Sequence, residues 1–267
     1  KNRGKHIEVI NTGTSSWSPS QYYLEIKDKI LTYSPDIVII DYDMSDVQND
    51  GDYKKLTTFD NDGLPVAIRS SNVENKAKYR YAPKGLIEIS LPQQMYIATL
   101  NFLNKNSSFF YHFEDFSLAL KRNTFVRRLL FKPPKSKNPE LDADNWLQYN
   151  WTKKAQENID YSMFLLGKTI SLLKEHNVKV IITSNPNYTQ YTKEWNPHPH
   201  IVVEQTARKY GALYLNAYQA LKSSITGSLR TTYYWEFDPT HFNEAGNRIW
   251  ARAQLNFLLD PANKLFE

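Results

Sequence analysis

Apolar residues fall in two kinds of run along this chain. The first kind is short, continuous and rich in β-branched side chains. Asp36-Ile-Val-Ile-Ile40 and Val178-Lys-Val-Ile-Ile-Thr183 read as strands, the former buried on both faces. His6-Ile-Glu-Val-Ile10 and Ala212-Leu-Tyr-Leu215 are shorter runs of the same kind. The second kind has helical spacing. Tyr22 to Tyr33 carries Tyr23, Leu24, Ile26, Ile30 and Leu31 on one side and is stopped by Pro35. Ala155 to His176, His200 to Tyr210 and His241 to Leu259 are the other predicted helices. Strands and helices alternate, which predicts four parallel strands in an α/β sheet with helices on both faces.

The middle of the chain breaks this alternation. Leu56 to Ser90 contains Asn61-Asp-Gly63, a hairpin signal between extended segments. Leu91 to Leu130 reads as helical and aromatic-rich, and Lys132-Pro-Pro-Lys-Ser-Lys-Asn-Pro139 as an exposed basic, proline-rich loop. Residues 51–150 are therefore expected to be an insertion, a lid over the active-site edge, within a single α/β domain spanning 1–267.

Composition narrows the function classes. The chain is 41% hydrophobic and 23% charged, as globular domains are. No apolar run is long enough to span a bilayer, and Lys1 to His6 is polar, with no signal-peptide pattern. The absence of cysteine excludes disulfides, thiolate metal sites and a thiol nucleophile. A net charge of +5 permits an anionic partner without implying one. The run Arg122, Arg127, Arg128, Lys132, Lys135 and Lys137 reads as a solvated face rather than a nucleic-acid site. Asp41-Tyr-Asp43-Met-Ser45-Asp46…Asp52 echoes a calcium loop but lacks its sixth-position glycine and follows a strand, which excludes a helix–loop–helix site. His198-Pro-His200 has no third ligand nearby and reads as a surface pair ahead of a helix.

The chemistry concentrates in Trp235-Glu-Phe-Asp238-Pro-Thr-His241-Phe-Asn-Glu-Ala-Gly246. Asp and His three residues apart, on a loop that leads into a helix, allow the carboxylate to fix the imidazole tautomer and free the other ring nitrogen as a base. Strand-end loops Asn11 to Ser16, Asp41 to Asp52 and Ser184 to Tyr188 are expected to meet this pair at the carboxyl edge of the sheet.

Asp238-Pro-Thr-His241-Phe-Asn-Glu-Ala-Gly246 resembles the last block of the SGNH (GDSL-type) hydrolases. Glu8-Val-Ile-Asn-Thr-Gly13 resembles their second block and Pro35-Asp-Ile-Val-Ile-Ile-Asp-Tyr-Asp-Met-Ser-Asp46 their third. The resemblance implies a three-layer α/β/α, flavodoxin-like architecture with a mainly parallel sheet and an inserted mixed segment. It implies a serine esterase or O-acyltransferase with His241 as general base and Asp238 as its orienter. Gly13 N–H and Ser45 would form the oxyanion hole. Ser45 stands where the family has Asn, and Asp43 where it has Gly. The Gly-Asp-Ser block is not in the chain, so the nucleophile is expected upstream of Lys1; Ser15 and Ser16 read as helix N-cap residues instead. No metal or organic cofactor is implied. The expected substrate is a small-molecule or glycan ester, O-acetyl on a carbohydrate, with the 6 Trp and 18 Tyr available to stack on sugars. The expected location is extracytoplasmic, periplasmic or secreted. The rival expectation is a catalytically silent SGNH-like module that holds a glycan.

Overall fold

The computed structural model describes residues 7–14, 17–68, 145–192, 197–235 and 238–266. It is a mixed α/β structure around a three-stranded parallel sheet. In chain order the main elements are α1 (Pro19–Asp28), β1 (Ile37–Asp43), α2 (Asp46–Tyr53), β2 (Thr57–Phe59), β3 (Pro65–Ile68), α3 (Lys153–Glu175), β4 (Lys179–Asn185), α4 (His198–Lys209), β5 (Leu213–Asn216), α5 (Ala217–Ile225), β6 (Tyr234–Trp235), β7 (Asp238–Phe242) and α6 (Glu244–Leu259). The parallel sheet runs β1-β4-β5, with Ile37 opposite Lys179 and Asp43 opposite Asn185.

β4 is the strand the sequence marks most clearly, because it is the central one. Val180 through Ser184 are buried on both faces. Val180 and Ile182 join Ile40, Tyr42, Leu166, Ile170, Leu173, Val203 and Tyr214 in the main core. Thr183 and Ile181 face the other way, towards Ile39, Leu215 and the α6 residues Gln254, Phe257 and Leu258. A second core gathers Tyr191, Ala217, Tyr218, Leu221, Tyr234, Phe242 and Trp250, tying α5, the β6–β7 pair and α6 together. Helix α3 is a clear amphipathic case. Ala155, Ile159, Ser162, Met163, Leu166, Ile170 and Leu173 recur at three- and four-residue steps and are buried, and Thr152 caps its start by accepting from Ala155 N (3.1 Å).

Several sequence expectations are corrected. Residues 7–10 form no strand: Ile7, Val9 and Ile10 are 48%, 84% and 54% exposed. Alternating apolar residues give a segment the capacity for a strand, but a strand also needs a ladder partner, and among the described residues β1 pairs only with β4. Among the described residues the parallel sheet accordingly has three strands where four were expected. Nor is β1 buried on both faces; Ile39 is 40% exposed beside a buried Ile40. Finally, residues 46–53, read as loop, form α2, and the helix expected from His241 begins at Glu244, with His241 in β7. The expected hairpin is present. β2 and β3 pair antiparallel across Asn61-Asp-Gly63, where Gly63 takes φ +75°, a conformation open to glycine at little cost. The helical and basic segments expected within 91–139 lie outside the described residues, and so do Ser15 and Ser16.

Helix α2 is fixed by two buried carboxyl groups. Asp46 Oδ2 accepts from Tyr22 OH (3.0 Å) and Asp43 N (3.1 Å). Asp50 Oδ1 accepts from Ser18 Oγ (2.6 Å), Ser20 Oγ (2.7 Å) and Ser20 N (3.0 Å), which joins α1 to α2. Burial, and then the nearby charge of Asp43, push the Asp46 carboxyl well above the usual carboxylate range. A carboxyl raised in the folded state stabilises the fold fully below its unfolded value of about 3.9 and loses that contribution as pH rises through the folded value. Asp46→Asn keeps an acceptor for Tyr22 and removes the titration. The variant is expected to show a flatter dependence of melting temperature on pH between about pH 4 and pH 8 than the wild type, gaining relative stability towards neutral pH. Parallel curves for the two proteins would contradict this assignment.

Candidate active site

The carboxyl end of β4 holds the candidate site together. Past Asn185 the chain runs through Pro186, Asn187 and Tyr188, and each of these three grips the C-terminal region. Tyr188 N donates to Pro239 O (2.8 Å), Asn187 Nδ2 to Thr240 Oγ1 (3.3 Å), and Tyr234 OH to Pro186 O (2.9 Å). Asn187 is itself fixed, its Oδ1 accepting from Thr189 N (3.0 Å) and Thr189 Oγ1 (2.8 Å). The Asp238–His241 segment is thereby laid across the sheet edge where strand-end loops were expected to converge.

Within that segment Asp238 organises its neighbours. Its Oδ1 accepts from Thr240 N (2.9 Å) and His241 N (3.2 Å), and its Oδ2 contacts His241 Nδ1 at 2.7 Å. An ionised carboxylate only accepts, so Nδ1 carries the hydrogen and Nε2 is the basic nitrogen of the neutral ring. Both side chains are open to solvent, 63% for His241 and 38% for Asp238. Burial opposes ionisation of Asp238, but the His241 hydrogen bond and charge and the two backbone donors outweigh it and lower its pKa. The hydrogen bond to Asp238 raises the pKa of His241 against partial burial, and the charges of Asp238 and Asp43 add to that rise.

Asn243 and Gly246 set the angle at which α6 leaves the site. Asn243 Oδ1 caps the helix by accepting from Gly246 N (3.0 Å). Asn243 N donates to Tyr233 O (2.9 Å), and its Nδ2 to Thr231 O (3.0 Å) and Tyr234 O (3.2 Å). The helix start lies so close to the 230–233 helical turn that a Cβ on residue 246 would sit 2.1 Å from Tyr233 O and 2.9 Å from Phe242 Cβ. Glycine is required there by close approach.

The other predicted site residues fall as follows. Ser45 is at the same edge, directly after β1, but both its N–H (2.8 Å) and its hydroxyl (2.7 Å) donate to Asp43 Oδ1. Gly13 is exposed, and its N–H donates to Asn11 Oδ1 (3.0 Å); no hydrogen bond joins it to the pair. Asp41 accepts from Thr183 Oγ1 and from Asn185 Nδ2 (3.0 Å). Among the described residues no three His, Asp or Glu side chains converge as a metal-ligand set. His200 is not the surface residue expected. It lies in the first turn of α4, 1% exposed, with Nδ1 2.7 Å from Ser184 Oγ, and burial holds its pKa down to about 3. The helix start turns it inwards, where it is a neutral core group.

Sequence reasoning missed the gripping role of Pro186, Asn187 and Tyr188, and it gave Trp235 no place of its own beside Asp238. An Asn-Pro-Asn turn directly after the most buried strand was the available signal for the first. Trp235 is the cross-strand partner of Asp238 in the β6–β7 pair and is 41% exposed.

No protein-family model, curated protein or solved structure gives a significant match to this chain.

Gly246→Ala places a methyl group against a backbone carbonyl that cannot rotate away. The expected cost is about 1–3 kcal/mol or more, read as a lower urea midpoint. An unchanged midpoint would mean that α6 does not approach the 230–233 helical turn this closely.

Proposed function

We propose that the chain is the Asp–His part of a serine esterase of SGNH type, in a three-layer α/β/α domain, that hydrolyses or transfers O-acyl groups. The observation that carries this reading is the 2.7 Å contact between His241 Nδ1 and Asp238 Oδ2 in a pair open to solvent. It is the arrangement by which a carboxylate orients a catalytic imidazole. The serine stays where the family resemblance puts it, upstream of Lys1. Its hydroxyl attacks the acyl carbonyl carbon while His241 Nε2 takes the proton. The ester C–O bond then breaks, and His241 returns the proton to the departing alkoxide. Water, or an acceptor hydroxyl in a transferase, reverses the sequence and frees the acyl group. Asp238 holds the ring and stabilises the imidazolium in both halves.

A carbohydrate ester is the substrate class we favour, because Trp235 offers a half-exposed indole beside Asp238 and flat amphipathic rings suit pyranose faces. No step requires a metal or organic cofactor.

The test is hydrolysis of p-nitrophenyl acetate and of an acetylated oligosaccharide by the full-length protein and its variants. His241→Ala is expected to lose at least about 10³-fold in kcat on both substrates. Trp235→Ala is expected to raise KM about two- to tenfold on the oligosaccharide alone, as for about 0.5–1.5 kcal/mol of ring stacking. Inactivity of the wild type with the fold intact and glycan binding retained would replace the esterase by the silent binding module.

A further inference from the structure

The turn that grips the candidate site is itself gripped from the core. Asn187 and Gln190 close on each other in the manner of a capping box: Asn187 Oδ1 accepts from Thr189 N (3.0 Å), and Gln190 Oε1 accepts from Asn187 N (2.9 Å). Gln190 Oε1 has a second lone pair, and His200 Nε2 lies 3.3 Å from it. Both side chains are buried, 6% exposed for Gln190 and 1% for His200. A backbone N–H only donates, so the oxygen of the Gln190 amide, not its nitrogen, faces Asn187 and His200. His200 Nε2 must then carry the ring hydrogen. In a neutral ring this leaves Nδ1 as the acceptor, and Ser184 Oγ lies 2.7 Å from it. Ser184 gives its one hydrogen to Nδ1 and takes that of Tyr214 OH at 2.5 Å. A directed chain of hydrogen bonds thus runs from β5 through β4 and α4 to the Asn187 turn. Gln190 Nε2 finds no partner among the described residues, so there the amide is held by its oxygen.

We propose that His200 is a positioning residue for the Asp238–His241 segment: as its Nε2–H tautomer it fixes Gln190, and through Gln190 the Asn187 turn. That turn holds the two residues between Asp238 and His241, with Asn187 Nδ2 donating to Thr240 Oγ1 (3.3 Å) and Tyr188 N to Pro239 O (2.8 Å). An apolar side chain would fill the same core space; the imidazole adds a bond of fixed direction, and a buried polar chain whose bonds are made admits one arrangement. The inference rests on the esterase reading for its catalytic meaning, since His241 meets a nucleophile productively only where its segment is held in place. The two histidines then carry opposite tautomers, His241 with its hydrogen on Nδ1 towards Asp238 and His200 with its hydrogen on Nε2 towards Gln190.

The first test is made on the wild type. Ring nitrogen-15 shifts and two-bond couplings of His200, assigned by through-bond correlation to its backbone, are expected to show a protonated Nε2 and an unprotonated Nδ1. Protonation at Nδ1 overturns the inference. The second test is amide hydrogen exchange at Tyr188, read against Ile182, which is buried in β4. His200→Phe keeps a ring and removes the Nε2 donor; Gln190→Met removes the acceptor on the other side of the same bond. In each, Tyr188 is expected to exchange about tenfold or more faster relative to Ile182, as a local loosening does. Ser162→Ala removes a different buried hydrogen bond, to Tyr42 OH (2.8 Å), and is expected to leave that ratio unchanged, because a merely structural loss lowers protection at both sites together. An unchanged ratio in His200→Phe, or an equal change in Ser162→Ala, overturns the inference; if His200→Phe does not fold, an unchanged ratio in Gln190→Met does so. In the full-length enzyme His200→Phe is expected to lose about 10- to 100-fold in kcat for p-nitrophenyl acetate, with KM within about twofold, and an unchanged kcat in the folded variant also overturns it. Lack of ester hydrolysis in the wild type counts against the esterase reading instead, and the tautomer and the exchange ratio still decide the role of His200.

Discussion

The burial of β4 on both faces is the constraint from which the carboxyl edge of this structure follows. A strand with Val180 through Ser184 all buried has its direction and register fixed by packing on two sides, since a one-residue slip would exchange the faces. Its last residues then emerge at a defined place. Pro186 and Tyr188 have little freedom there, and their backbone groups meet Tyr234 and Pro239. The Asp238–His241 segment is thus positioned by hydrogen bonds from the end of a buried strand, rather than by the exposed side chains that would do chemistry. Open side chains on a fixed backbone suit a site that must admit a substrate and still hold its geometry.

Polar burial is handled differently on the two sides of β1. Towards α1 and α3, Asp46 and Asp50 are sunk among hydroxyl and N–H donors, with burial raising the pKa of each. Asp43, at the end of β1, is also raised by burial. Asp238, in β7, is partly open to solvent and is held in its charged form. The first pair serves the joints between helices, and Asp238 orients His241 by a hydrogen bond. In sequence, Asp41 to Asp52 is one acidic stretch that echoes a calcium loop without fitting one; a strand followed by a helix separates its members into different environments.

The elements that were legible in the sequence are those with strong local period. Helix α3 and strand β4 lie within two residues of their expected bounds because each is dominated by packing on a single core. The Asp-x-x-His pair was legible because its geometry is local: two donors to Oδ1 and one contact to Oδ2 arise within four residues. What failed was non-local. Residues 7–10 have the alternation of a strand and no partner strand among the described residues, and periodicity carries no information on partners. His200 turned inwards because α4 begins two residues earlier than the expected start, which places it in the first turn facing Ser184.

Asp238 fixes the tautomer of His241 and leaves Nε2 as the base. The most direct measurement is the pair of ring nitrogen-15 shifts and two-bond couplings of His241 at a pH above its titration, in the wild type. A protonated Nδ1 and an unprotonated Nε2 are expected. A ring protonated at Nε2, or a fast mixture of both tautomers, would contradict it, because Asp238 would then not be accepting from the imidazole and no base would be presented to a nucleophile.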